Sequence, residues 1–471
     1  MPAADQNWFG KPLTAIAAAL RDRRVTAAAL LETARHNHAS HGARLDAYRI
    51  WSSEPAGMQA QAADAAFAEG RDGSPLQGIP VSVKDLFGVD YLDTTAGSPR
   101  PLPESWNREG PIIRALRRGG AVLTGKTHMV EFAFGGLGTN AHWPIPRNPW
   151  DAATKRVPGG SSSGAGVSLV EGSCLLALGT DTAGSVRVPA SFTGTVGLKT
   201  TAGRWPLEGI VPLSPTFDTP GILARDVGDA AFAYAAIEAA LADGAPPRPT
   251  ARRELAGLRI AIPENHFWEA CSSGIGDHVH AALRELENAG ATLLPVTLPE
   301  ADEAFDLFCK GSVVASELNA FLQAQLPDWI ATLDPNIAKR MAAALDLDSD
   351  EIAARRLRIA ELTRAAQERF AAWDIMVTPT VQITPPPIAE VEDPKAYSAS
   401  NLLSLRNTCI ANLLGLCAIT MPVALDSAGM PVGLQCMARA HGEDALLAAA
   451  AAIEGILGTP AQRLGRAPLG A

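Results

Sequence analysis

Between residues 11 and 70, Ala- and Leu-rich apolar positions recur at helical spacing among Arg, Asp and Glu, which predicts two or three amphipathic helices. The pattern then changes. Residues 79–83 and 121–124 are short apolar runs of the kind a buried strand carries, with a helix expected over 111–118 between them. Similar runs follow at 258–262, 291–296, 375–378, 418–423 and 432–437, separated by helical patterns. Residues 258–298 read as one βαβ unit, 302–373 as nearly all helical, and 242–252 (ADGAPPRPTAR) as an exposed loop. Strands alternating with helices along the whole chain predict an α/β fold with a large central sheet covered on both faces. No linker divides it, so a single large domain is expected.

Composition narrows the function classes. With 471 residues, 47% hydrophobic and 19% charged, the chain can bury a sizeable core. A formal net charge of -10 and the absence of clustered Lys and Arg argue against a nucleic-acid partner. The N-terminus lacks a basic segment followed by an apolar core, and the most apolar stretch, 446–457, is split by Glu454, so neither a secretory signal nor a membrane span is expected. Six dispersed cysteines in mostly apolar surroundings fit reduced core thiols and a cytoplasmic location.

The most informative stretch runs from Pro158 to Arg204. It holds two glycine turns that place Ser161 and Ser185 24 residues apart, and the run from Val167 to Leu178 between them carries only Glu171 as a charge. Small residues ahead of a serine leave several backbone N–H groups free to converge on one spot, as an oxyanion hole requires. Ser185 sits beside such donors, and Asp181 and Arg187 flank it as a charge-assisted pair that would pin the turn.

Other motifs fare less well. Gly120 to Thr127 matches the phosphate-loop pattern, but its strand-like residues lie inside the motif instead of before it. Gly160 to Gly164 satisfies the Gly-x-Ser-x-Gly elbow, with Ser162 as nucleophile, yet Pro158-Gly159-Gly160 is poor strand material. His266, His278, His280 and His441 lie downstream, so chain order alone leaves that esterase reading open. His278 and His280 are two apart in an expected helix and face different directions; with no HExxH and no CxxC, neither a metal nor another cofactor is called for.

A serine nucleophile needs a proton acceptor, and no histidine is near either turn in sequence. Lys84 ends an apolar strand, where burial would favour its neutral form. By position alone, a strand-end lysine reaching water is the plainer account.

The pieces VSVKD (81–85), GKTHMVEFAFG (125–135), PGGSSSGAG (158–166), GTDTAGSVRVPA (179–190), GLKTTAGR (197–204) and DIMVTPT (374–380) resemble the amidase signature family, in the family's order and over about residues 10–465. The resemblance implies one amidase signature domain over 1–471 with a mixed, twisted sheet. Its parts would be N-terminal helices over 1–70, a catalytic core over 71–240, and a helical insertion over 300–373 near the substrate pocket. It also implies Ser185 as nucleophile, Ser161 as a bridging serine after a cis peptide bond, and Lys84 as base. The amides of Thr182, Ala183, Gly184 and Ser185 match the family's oxyanion hole, with Ala183 where many members have glycine. Met129, Phe132, Phe134, Gly135 and Gly136 would border the acyl pocket, and Phe321 and Trp329 would cover it. Those side chains are apolar and no arginine is evidently placed for a carboxylate, which favours a neutral small-molecule amide, aryl amide, carbamate or urea cleaved through an acyl-enzyme. The resemblance leaves a homodimer open. It also leaves open the glutaminase-type subunit of a tRNA amidotransferase. A scaffold would have no need of Lys84, Ser161 and Ser185 together.

Overall fold

In a computed structural model, which describes residues 7–242, 250–251, 253–310, 313–342 and 348–470, the apolar runs become strands of one mixed sheet. Among the described residues the strands are β1 (Tyr48–Trp51), β2 (Pro80–Lys84), β3 (Val122–Thr127), β4 (Leu176–Asp181), β5 (Val196–Lys199), β6 (Thr219–Ala224), β7 (Arg259–Pro263), β8 (Thr292–Val296), β9 (Ile375–Pro379), β10 (Cys417–Leu425) and β11 (Pro431–Ala438). They lie in the order β1-β3-β2-β4-β6-β5-β10-β11-β9-β7-β8. β2 runs parallel to β3 and β4, and β7 to β8 and β9, while the other neighbours are antiparallel. β2, β4, β6, β9 and β11 are buried at every position, as strands covered on both faces must be. Edge strand β8 is not.

Three strands escape the hydrophobic pattern. β1 is four residues long and sits among the N-terminal helices Leu13–Arg21, Ala27–Leu45 and Ser53–Ala68. β5 and β6 contain Gly197, Pro220 and Gly221, residues that usually argue against a strand. The two glycines are there for close approach: a Cβ on Gly221 would stand 2.5 Å from the Leu198 carbonyl oxygen, and one on Gly197 2.7 Å from the Ala190 methyl. The expected loop over 242–252 lies mostly outside the described residues.

Two features of this topology position chemistry. Because β2 and β4 are parallel, their C-terminal residues, Lys84 and Asp181, finish at the same end of the sheet. The helix Ser163–Glu171 then returns the chain from the first glycine turn to β4, and its eight residues other than Val170 are buried. The apolar C-terminal segment Glu443–Leu464 is long enough to cross a membrane by composition, but Leu446, Leu447, Ala449, Ala450 and Ile453 of its helix are buried, and that helix packs on β10 and β11.

Candidate active site

Lys84, at the end of β2, is fully buried. Its Nζ donates to Ser161 Oγ at 2.7 Å and to Thr180 Oγ1 at 2.9 Å. Neither acceptor is a carboxylate. Burial lowers the Lys84 pKa to about 7, against the opposing charges of Asp218 and Asp181. Ser161 is presented by a loop pinned on one strip of backbone: Gly159 and Gly160 donate to the carbonyls of Leu137 and Gly136 at 3.1 and 2.7 Å, and the Ser161 carbonyl accepts from Val130 at 3.1 Å. The Gly160–Ser161 peptide bond is cis.

The second turn is organised by one carboxylate. Asp181 accepts from the amides of Gly184 at 2.7 Å and Val186 at 3.1 Å, from Arg187 Nε at 3.0 Å and Nη2 at 2.9 Å, and from Asn412 Nδ2 at 3.0 Å. Burial alone would raise its pKa, but the charge and hydrogen bonds of Arg187, with Lys199 nearby, hold it down at about 2. Arg187 also donates to Gln435 and Asn412. Of the four amides expected to form the oxyanion hole, that of Gly184 donates to Asp181, whereas those of Thr182, Ala183 and Ser185 make no hydrogen bond among the described residues.

The turns meet where Ser162 donates its amide to the Ser185 carbonyl at 3.2 Å. Ser161 and Lys84 are inaccessible, while Ser185 keeps 4% of its surface exposed and Ala183 is partly exposed, so the site opens on the Ser185 side. The Ser185 hydroxyl has no hydrogen-bond partner among the described residues; hydrogen bonds between reacting groups often close only with substrate bound.

Asp218 is a site residue that sequence reasoning missed. The antiparallel register sets Asp181 opposite Thr219, which brings Thr182 opposite Asp218, and the Thr182 hydroxyl donates to its carboxylate. Leu213 and Ser214 amides donate to the other oxygen, and burial raises the Asp218 pKa to about 6. Only the strand pairing could reveal it.

The expected pocket residues divide. Met129, Phe132 and Phe134 are buried in the main core, while Gly135 and Gly136 run beside the loop that carries Ser161 and under Tyr397 and Asn401, whose Oδ1 accepts from Gly136 N at 2.7 Å. Phe321 packs edge-on against Trp106, and Trp329 lies under Arg100. An arginine is present after all. Arg340, from the helix Pro335–Ala342, stacks over the Phe134 ring at 3.9 Å and donates to the Phe134 carbonyl.

The competing motifs dissolve. β3 runs through the phosphate-loop match, and Lys126 is held by Asp85 at 3.3 Å and Thr94 at 2.6 Å. No strand precedes Ser162, whose hydroxyl rests on the Thr180 carbonyl at 3.4 Å.

The Amidase family model matches residues 29–447, and the chain belongs to that family, whose members hydrolyse carbon–nitrogen bonds. It is 48% identical over 442 residues to the 2-amino-5-chloromuconic acid deaminase of Comamonas testosteroni, covering 94% of this chain and 95% of that protein. Identity to a component of the glutamyl-tRNA(Gln) amidotransferase of Moorella thermoacetica is 32%, over 87% and 89% of the two chains. A solved amidase crystal structure superposes with a TM-score of 0.85 at 29% identity, over 95% of this chain and 100% of that one.

Proposed function

We propose that the chain hydrolyses the C–N bond of a small molecule through Lys84, Ser161 and Ser185. One observation carries the reading: a buried lysine donates to the Ser161 hydroxyl at 2.7 Å with no carboxylate bonded to it, next to a turn with three unused amides. Neutral Lys84 takes the Ser161 proton as Ser161 takes that of Ser185, and Ser185 Oγ attacks the trigonal carbon bearing nitrogen. The amides of Thr182, Ala183 and Ser185 stabilise the negative charge that develops, and Asp181 and Asp218 hold their turn in place. Ser161 protonates the departing nitrogen. Water, activated along the same relay, releases the acid from the acyl-enzyme.

Amides, carbamates and ureas all suit this chemistry. The 48% identity to an aminomuconic acid deaminase favours a second reading, in which the trigonal carbon belongs to an unsaturated amino acid and ammonia is the product. The lower identity to the amidotransferase component gives the partner-dependent glutaminase reading less support. A fluorophosphonate should label Ser185 in the isolated chain, and Ser185→Ala should lose amide hydrolysis by about 10⁴-fold or more while staying folded. A folded Ser185→Ala protein with full activity refutes the reading.

A further inference from the structure

Three arginines stand near the site, Arg187 buried and Arg340 and Arg406 half-buried, and the protein treats them differently. Arg187 has Asp181 at 2.9 Å, and Arg406 has Glu269 at 2.6 Å. Arg340 has no carboxylate partner among the described residues. Its polar contacts there are the Phe134 carbonyl and the Tyr397 hydroxyl, and its flat face lies on the Phe134 ring. A guanidinium carries five N–H donors, so among the described residues most of its hydrogen-bonding capacity is unused and its charge meets no carboxylate. Withdrawing such a charge from water without a counter-ion is costly, and the end of the helix Pro335–Ala342 offsets only a fraction of it.

Its place in the molecule supplies the reason. Phe134, which Arg340 grips, lies two residues from Gly136, whose carbonyl holds the Gly160 amide just ahead of Ser161. Two residues of chain span about 7 Å at most, so the arginine's anchor stands within about 10 Å of the relay loop. Tyr397, its other partner, packs in the cluster that also contains Val188 and the partly exposed Ala183 of the oxyanion turn. A planar fork held by stacking and one carbonyl is already oriented for a second planar group.

We propose that Arg340 binds a carboxylate of the substrate, so that the chain acts on small amides or amino compounds carrying a carboxylate a few bonds from the C–N bond that breaks. This rests on Ser185 being the nucleophile, and it replaces the expectation of a neutral substrate, which stood on there being no such arginine.

The test compares the monoamides of butanedioic to hexanedioic acid with butanamide to hexanamide. Wild type should prefer at least one monoamide over its neutral counterpart by about 100-fold in kcat/KM, and Arg340→Gln should collapse that ratio by about 100-fold, chiefly through KM. Arg340→Lys, which keeps the charge but not the fork, should retain part of the preference. A ratio near one in wild type, or one unchanged in Arg340→Gln, overturns the proposal. Calorimetry needs no turnover: muconate should bind the Ser185→Ala protein and fail to bind the Ser185→Ala, Arg340→Gln double variant. Equal binding to both overturns the assignment. Labelling of Ser185 by a fluorophosphonate separates the two claims, because its absence in wild type would refute the nucleophile while leaving the muconate measurement to decide Arg340.

Discussion

Lys84 and Lys126 sit on neighbouring parallel strands, both fully buried, and Val83 pairs with Lys126 across the ladder. Side chains alternate along a strand, so the two lysines leave opposite faces of the sheet. Their surroundings differ in one respect. Lys126 is given a carboxylate, Asp85, together with Thr94 and the Asp93 carbonyl. Lys84 is given two hydroxyls. Asp85 adjoins Lys84 in sequence, yet Lys126 takes it. Burial costs both lysines proton affinity, but only Lys84 lacks a carboxylate in contact to restore it, and it settles at about 7. On the proposed mechanism, the difference between a structural lysine and the base is the allocation of one carboxylate.

That comparison can be broken by exchanging what each lysine loses. Lys84→Met should lower kcat/KM by about 10³- to 10⁵-fold without lowering the melting temperature; a loss under tenfold would remove Lys84 from the relay. Lys126→Met should instead cost about 3–5 kcal/mol of stability, because Asp85 is left buried and unpaired, and a denaturant titration measures it. An unchanged midpoint would mean that the pair contributes nothing.

The pH dependence sharpens the contrast. The Lys84 pKa is depressed in the folded protein, so the unfolded chain binds more protons between about 7 and the ordinary lysine value of 10.5. Its contribution to stability is full above that window and is lost as pH falls through it. Stability should therefore rise with pH there, and Lys84→Met should flatten that rise. Denaturation midpoints at pH 7 and 10 in the two proteins decide the matter. The smallest effect belongs to Asp218→Asn. Asp218 raises the Lys84 pKa, so removing its charge should move the acid limb of kcat/KM to lower pH, by about one unit or less. A shift to higher pH would place the charge coupling elsewhere.

What the sequence tells, and what it hides, follows from the same geometry. β2 and β4 are legible because strands buried on both faces read as unbroken apolar runs, and the two glycine turns are legible because close backbone approach demands small residues. The pairing of Asp181 with Arg187 is local and readable. Asp218 is not, since it reaches Thr182 only through the register of β4 against β6, and β6 itself is masked by Pro220 and Gly221. Arg340 is hidden for a related reason: it meets Phe134 across the fold, and nothing in its own helix distinguishes it from the exposed Lys339 beside it. Nor does the motif reveal that a carboxylate three residues upstream, Asp181, accepts from the Gly184 amide.

The central claim is that a neutral Lys84 activates Ser185 through Ser161. The rate at which a fluorophosphonate phosphonylates Ser185, with loss of fluoride, as pH is varied tests it most directly, because nucleophilic attack by Ser185 is read without a substrate. The account predicts a rate that rises with an apparent pKa of about 7 and loses that inflection in Lys84→Met. An inflection that persists in Lys84→Met, or one near the ordinary lysine value in the wild type, would contradict it.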